Sequence, residues 1–560
     1  MFLAIELCLS AICLAFAYTR PPLGDEAFSR IEQCFSTFAN KRALAVAIVG
    51  LIALSVRLTL LPILPIPTPA IHDEYSHLLL ADTLAHWRLA NPTHPMWVHF
   101  ETFHVNWHPT YASMYYPGHA LFLAFGQVVM GHPFWGVWLS SGLMCAAICW
   151  ALQGWMPPAW ALAGGLLAVV RLGSFSYWAD SYWGGTVTAL GGALVLGAIP
   201  RVKQHRRISD SVIMGTGMGL LALTRPYEGI FFCVPVVIYL LLWAVRQEAP
   251  PLKTLLTRIA VPASLTLAIG LSWMAYYFWR VTGSPFTTPY QVNIHTYGLV
   301  YFPWDTIRQV AAYHHAAMEI FYRGNSVVGA LKFARHHPIE LQASKALGIW
   351  LFFFGPLMTV PWLAWLCMRP TRNFWKSIAP DLRFLLALCA CTYASIMLTI
   401  YVGQPHYAAP LTAVFYAATI LVMRDLRSIA SGRWIGRSVF LVAAILFVIV
   451  GLASFFHARP KPSWIRIWCT PSLQNFRRQA VLNQLEHIPG EHIVIVRYRP
   501  DHDIAYDEWV FNGADIDGSK IIWARDMGRQ NGELADYFNT RKIWLIEPDS
   551  RPVKLTPYLQ

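Results

Sequence analysis

The chain has 560 residues, 56% of them hydrophobic and only 13% charged, with a mean hydropathy of +0.42. That balance excludes an ordinary soluble domain, in which about a quarter of residues are charged, and makes the bilayer the solvent. The net charge of +13 suggests a nucleic-acid binder at first, but the basic residues sit in short loops between apolar stretches, which excludes a nucleic-acid surface.

In chain order, the apolar stretch 1–18 has no basic segment ahead of it and is followed by Arg20, Arg30, Lys41 and Arg42. It reads as a retained span with a cytoplasmic segment to residue 42. Stretches with the roughly 20 apolar residues needed to cross hydrocarbon follow at 43–61, 135–153, 181–199, 229–246, 259–279, 347–368, 384–402 and 439–457. With the shorter or interrupted candidates at 157–172, 211–225 and 408–423, the expectation is about a dozen spans. The piece 119–131 lies along the membrane or enters it only partly, which closes the helix parity.

Basic residues then fix the orientation. Arg201, Lys203, Arg206 and Arg207 share one loop, and Arg246, Lys253 and Arg258 the next. Arg369, Arg372, Lys376 and Arg383 follow, then Arg424, Arg427, Arg433 and Arg437. The positive-inside rule places all of these in the cytoplasm, whereas 61–117 carries only Arg88 and belongs outside. The loop 62–117, the turn around Asp180, the connection 280–346 and everything after His457 therefore face outward. Both long loops exceed plain connectors and should hold short helices on the interface.

Residues 458–560 are richer in charge, with β-rich runs His492 to Tyr498 and Lys542 to Ile546 bracketing a helical stretch around Glu533 to Phe538. The expected fold is an all-α polytopic membrane protein, its transmembrane domain over 43–457, with a small C-terminal α/β domain outside the membrane. Nine of the ten cysteines lie in or beside apolar stretches, so no disulfide framework is implied.

Several polar groups gather at the expected outer ends of spans. Ile71-His72-Asp73-Glu74-Tyr75 puts two adjacent carboxylates just beyond a span. Asp73 would also suit the start of the helix that follows, where acidic groups meet the dipole, and the two roles are compatible. Arg225, in Thr224-Arg225-Pro226-Tyr227-Glu228, is costly at that depth unless it is functional or paired, for instance with Glu228 where Pro226 breaks the helix. Gln404-Pro405-His406-Tyr407 interrupts two spans on the same face, and Asp180 lies in Tyr177-Trp178-Ala179-Asp180-Ser181. Arg57, inside a span, either reaches a phosphate or snorkels. Histidines 72, 77, 86, 94, 99, 104, 108, 119 and 132 crowd one stretch at spacings that match no metal motif. If a metal is present, Asp73, Glu74 and His72 are its expected ligands, a set that suits zinc or manganese.

In these residues the chain resembles the GT-C superfamily of integral-membrane glycosyltransferases, especially protein O-mannosyltransferases and lipid A aminoarabinose transferases. Asp73-Glu74-Tyr75, then Leu78 to Ala85 and Arg88-Leu89-Ala90-Asn91-Pro92, are similar to the family's acidic pair, helix and continuation. Tyr115-Tyr116-Pro117-Gly118-His119-Ala120-Leu121-Phe122 resembles its segment before the next span, while Trp87 stands where the family often has Gly. The resemblance implies Asp73 as the catalytic base, with Glu74 beside it to orient it or bind a metal, and Asp180 as a second external acid. His406 and Tyr407 resemble a family element, and with Arg225 and Glu228, placed by their position on the same face, they are the residues expected on the donor side. The implied activity moves a sugar from a polyprenyl-phosphate donor to a glycan, lipid or protein acceptor at the outer face of the cell (inner) membrane, by inverting single displacement. No cofactor is certain, and a divalent cation is an option. The residues alone leave open a transporter or flippase for a lipid or polar solute, against which the asymmetric loops and the placing of acids at span ends count. They also leave open a non-catalytic envelope assembly factor.

Overall fold

The computed structural model describes residues 1–19, 24–246, 249–310, 312–368, 378–428, 432–458 and 466–558. Arg20, Arg369, Arg372, Lys376 and the side chain of Arg433 lie outside the described residues. Among the described residues, eight helices are long and apolar enough to cross a membrane. They are Arg42–Thr59, Phe134–Trp155, Pro226–Ala244, Leu252–Thr282, Pro338–Met368, Pro380–Met397, Pro405–Arg427 and Trp434–Phe455. Shorter apolar helices occupy Phe2–Ala15, Pro117–Met130, Pro158–Arg171 and Ile208–Thr224. The chain is a multi-pass membrane protein.

Lipid tails are as apolar as leucine, so helices in a bilayer associate mainly through close packing and polar contacts rather than through a hydrophobic drive. Small residues supply that packing here. A Cβ on Gly126 would stand 2.2 Å from the Gly136 nitrogen, and one on Gly192 2.2 Å from the Pro410 oxygen, so at both places two backbones touch. The Pro405–Arg427 segment is central, with 89% of its apolar window buried, whereas Leu252–Thr282, at 11%, faces outward to lipid. Two ion pairs are sealed inside the bundle: Arg57 with Asp180 at 3.3 Å and Arg171 with Glu6 at 3.1 Å. Charges in this setting persist because each is paired. Glu6 also accepts from Leu357 N and Trp468 Nε1, tying the first helix to two distant segments.

The loop 62–117 holds the helix His72–Ala85, which packs on Pro117–Met130, and a two-stranded ribbon pairing Val105–Asn106 with Ala112–Ser113. The connection 280–346 holds helices at Pro289–Tyr297, Ala316–Arg323 and Ala330–His336, as its length suggests.

At the C-terminal end a four-stranded sheet has His492–Val496 at its centre. Ile521–Arg525 and Lys542–Ile546 lie parallel on either side, and Leu555–Pro557 pairs antiparallel at the edge. All five residues of His492–Val496 are buried, as a central parallel strand covered on both faces requires. This sheet does not stand apart from the loop. Leu79, Val105, Trp107 and Tyr111 share one hydrophobic cluster with Ile493, Ile495, Ile522 and Leu534. Tyr111 Oη donates to Asn512 O at 3.0 Å, and Asp82 accepts from Ala514 N at 2.7 Å.

Candidate active site

The chain leaves the Arg42–Thr59 span through a proline-rich turn with Pro62, Pro65, Pro67 and Pro69. Proline gives this segment few backbone donors, so its carbonyls are held by side chains. Arg57 donates to Leu64 O and Ala179 O, Tyr182 Oη to Pro67 O, and Tyr75 Oη to Pro69 O. Arg57 therefore neither snorkels nor faces a phosphate; it is fully buried, pins this turn and neutralises Asp180.

The helix begins at His72 with Ile71 as its N-cap, so the capping role considered for Asp73 falls elsewhere. Glu74 supplies it. One of its oxygens accepts from Ala70 N and Ile71 N, and the other from Tyr182 N at 3.1 Å. Burial pushes the Glu74 carboxyl up to about 7, against the pull of those three amides and the Arg466 charge. Glu74 thus turns away from Asp73 and ties the helix start to the 177–183 segment.

Asp73 points the other way, with a fifth of its side chain exposed. His72 Nδ1 lies 3.3 Å from one of its oxygens and His104 Nδ1 3.5 Å from the other, while Tyr115 Oη donates to it. The two imidazole Nδ1 atoms are 3.1 Å apart, and Tyr115 Oη is also 3.1 Å from His104. His104 reaches this position with φ at +59°, a left-handed backbone uncommon for a non-glycine residue. Its carbonyl is held by Ser76 Oγ and Met114 N. Strain of this kind persists only when the surroundings fix it, and it gathers at functional sites.

Burial alone would raise the Asp73 carboxyl, but the His72 and His104 rings and the Tyr115 hydroxyl overcome it and hold it well below the usual carboxylate range. Burial lowers His72 to about 4 and His77 well below its ordinary value. At neutral pH the centre is an ionised carboxylate with the neutral imidazole of His72 beside it. One atom each from His72, Asp73 and His104 lies within 4.8 Å of the others, a donor set that suits a divalent cation. Glu74, expected in such a set, is not part of it.

The residues expected on the donor side form a second group. Pro226 excludes the helical region for the residue before it, and Arg225 adopts φ −141°, ψ 75° at the break between two helices. Its guanidinium sits 3.5 Å from Glu228 and 4.9 Å from the centre of the Tyr407 ring. His406 is buried, its Nδ1 3.0 Å from Tyr177 Oη and its ring against Trp183. Asp180 pairs with Arg57. Arg466 lies over the Tyr177 and Trp183 rings at 4.2 and 5.1 Å, and its charge acts on both Glu74 and Asp73. The charge of Arg225 is felt at His77, one turn along the helix from Asp73 and stacked on Tyr115.

Sequence reasoning gave His104 only as one of the crowded histidines and Tyr115 only within the segment before the next span, and it did not reach Arg466. The histidine crowding was a real signal for the first, but residues 72 and 104 meet only because the ribbon folds back. Arg466 follows the last span inside no motif at all.

No protein-family model and no curated protein sequence matches the chain. Solved structures do. The oligosaccharyltransferase of Archaeoglobus fulgidus, in a complex with zinc and sulfate, matches with a TM-score of 0.50 at 13% identity, over 90% of this chain and 67% of that one. Its apo form matches with a TM-score of 0.48 at 12% identity, over 81% and 62%. ArnT from Cupriavidus metallidurans, bound to undecaprenyl phosphate, matches with a TM-score of 0.46 at 13% identity, over 90% and 92%. The fold is shared with that of the archaeal oligosaccharyltransferase. This chain spans about two thirds of the archaeal enzyme's length, and at such identities the likeness concerns the fold alone.

Proposed function

We propose that the protein transfers a sugar from a polyprenyl-phosphate donor to an acceptor hydroxyl at the outer end of its membrane bundle, in one displacement that inverts the anomeric carbon. The observation that carries this reading is the ionised Asp73, held by two imidazoles and a phenol, with the Arg466 charge acting on it and the Arg225 charge reaching His77 on the same helix. The fold shared with an oligosaccharyltransferase supports it.

In the reaction the acceptor oxygen bonds to the anomeric carbon as the carbon–oxygen bond to phosphate breaks, its electron pair leaving with the phosphate. The acceptor proton passes to Asp73. The acceptor oxygen becomes acidic as it bonds to the anomeric carbon, which lets an ionised carboxylate take its proton. Arg225 is the donor-side cation, placed where negative charge grows on the departing phosphate, and Arg466 adds to the same field. A divalent cation held by His72, Asp73 and His104 would supply further positive charge for phosphate oxygens. Zinc accompanies the archaeal enzyme that shares the fold.

An apolar cleft supports a lipid-linked donor. It begins one turn below Arg225 and runs between the Pro226–Ala244 and Pro380–Met397 helices, lined by Ile230, Val234, Ile238, Leu242, Phe384 and Leu388, with a volume of about 520 Å³. An isoprenoid chain lying there would bring its phosphate to Arg225.

The test is to incubate purified protein with a panel of polyprenyl-phosphate sugars and follow release of polyprenyl phosphate. Consumption of at least one donor is expected. A folded protein that consumes none of them, and instead moves the lipids between leaflets of vesicles, would replace this reading with the flippase.

A further inference from the structure

Where the connector after the last span meets the C-terminal sheet, a second cavity of about 380 Å³ opens outward, lined by Gln474, Asn475, Phe476, Arg477, Asp503 and Tyr506, with Asp507 at its floor. That volume lies in the range of small-ligand sites, roughly 300 to 1,000 Å³.

Its floor is rigid. Asn475 Nδ2 donates to Asp507 at 2.8 Å, Arg477 pairs with the same carboxylate, and Trp509 Nε1 donates to it at 2.9 Å. Its rim is not saturated. Gln474 Oε1 accepts from Thr68 N and Oγ1, which leaves its Nε2 without a partner among the described residues. The Asp503 carboxylate has none there either, and it faces water. Phe476, the first residue of the helix Phe476–Glu486, is 61% exposed. A single exposed ring is ordinary. Here it borders a free amide donor and a free carboxylate acceptor.

The cavity is built onto the same unit as Asp73. Thr68, bonded to Gln474, lies five residues before Asp73 in the turn that positions it. Tyr75 stacks on Phe511 with centroids 4.7 Å apart, and Arg478 lies 5.2 Å over the Tyr75 ring, so the helices bearing Asp73 and Phe476 belong to one packed body. Tyr506, in the cavity wall, interacts through space with Asp73 and Arg466.

We propose that this cavity is the acceptor subsite and that it takes a saccharide. A pyranose ring would lay its C–H face on Phe476 and bond its hydroxyls to Gln474 Nε2 and Asp503, with a further hydroxyl directed to Asp73. Asp503 favours a neutral or amino sugar over an acidic one. A lipid chain would meet a polar wall. An extended peptide would find a helix start and a loop here, with no strand edge to extend. This inference rests on the transferase reading above.

The test measures binding to the full chain in nanodiscs by calorimetry, with maltotriose, chitotriose, a chitosan trisaccharide, a triuronate and a serine-containing hexapeptide as probes. Binding of a neutral or amino trisaccharide is expected, weakened about tenfold or more by Phe476→Ala and by Asp503→Asn, the scale of a hydrogen bond to a charged group. Both positions are exposed, so both variants should fold. No trisaccharide binding, binding of the peptide alone, or affinities that neither variant changes would overturn the proposal. Donor turnover separates the two readings. If the donor is hydrolysed but no trisaccharide binds, the acceptor subsite falls and the transferase stands. If trisaccharides bind but no donor is consumed, the transferase reading falls, and the acceptor role with it.

Discussion

Asp73 and Glu74 are neighbours in sequence with opposite surroundings, and substitutions should separate their roles. Asp73→Asn keeps the size of the side chain and removes its charge, and Asp73 does not cap the helix. Turnover is therefore expected to fall about a hundredfold or more, the scale of a lost general base, while the melting temperature holds. Full turnover in a folded Asp73→Asn protein would take this residue out of the mechanism. Glu74→Gln turns an amide NH₂ toward a backbone N–H that the carboxylate now satisfies, which costs about 1 to 3 kcal/mol of stability. It should appear as a lowered melting temperature that zinc or a chelator does not change. Arg225→Ala should weaken binding of a polyprenyl-phosphate donor by about 1.5 to 3 kcal/mol if the guanidinium meets phosphate. Unchanged donor affinity with a lower melting temperature would make Arg225 only the partner of Glu228. The acidic pair was legible in the sequence because it follows a span into a loop almost free of basic residues. Which carboxylate faces the site was not, since that depends on Tyr182, over a hundred positions away in the chain.

Among the elements, the C-terminal sheet and the loop 62–117 are held together by more than apolar contact. Arg525 donates to Glu101 O and pairs with Glu508 at 2.8 Å, with both side chains of the pair almost fully buried. Burial alone would raise the Glu508 carboxyl; the Arg525 charge and bonds from Tyr498 and Val510 hold it below its ordinary value. A carboxyl lowered by folding stabilises the protein above its unfolded value and loses that contribution as pH falls through the folded one. Removing one partner of a buried pair costs about 3 to 5 kcal/mol. Glu508→Gln should therefore speed hydrogen exchange in the His492–Val496 and Ile521–Arg525 strands at neutral pH, and that difference from the wild type should shrink as acid protonates Glu508. Equal exchange at pH 7 would show the pair to be dispensable. The strands at 492 and 542 were legible as β-branched runs. Their shared core with Leu79 and Tyr111 was not, because contacts between positions about 400 residues apart leave no local pattern.

For the whole molecule the question is which end faces the cytoplasm. Among the described residues, the structure gathers basic residues from several loops at one end of the bundle. Arg437 bonds to Asp25 and Glu32, and Arg427 to Glu32, so the helix Asp25–Ala39 lies against the facing ends of the Pro405–Arg427 and Trp434–Phe455 helices. Gln153 Nε2 bonds to Arg42 O, Arg201 to Trp150 O, and Ser211 Oγ to Arg258 O, which brings the other basic segments to that end. Arg57, Asp180 and the turn leading to Asp73 lie at the far end of the Arg42–Thr59 helix. Basic residues flanking spans are retained in the cytoplasm during insertion, so the Asp73 cluster and the C-terminal sheet should emerge outside. Alkaline phosphatase fused after Tyr558 is expected to be active and the same enzyme fused at Arg207 inactive, with a cytoplasmic reporter giving the reverse. The opposite pattern at both positions would turn the protein over and place donor, acceptor and Asp73 on the cytoplasmic side. Activity at both positions would mean that an odd number of crossings had been miscounted between residues 207 and 558, and the short helices Pro117–Met130 and Ile208–Thr224 both fall below the length criterion. Only the second of these lies in that interval, so the count of crossings after Arg207 turns on it.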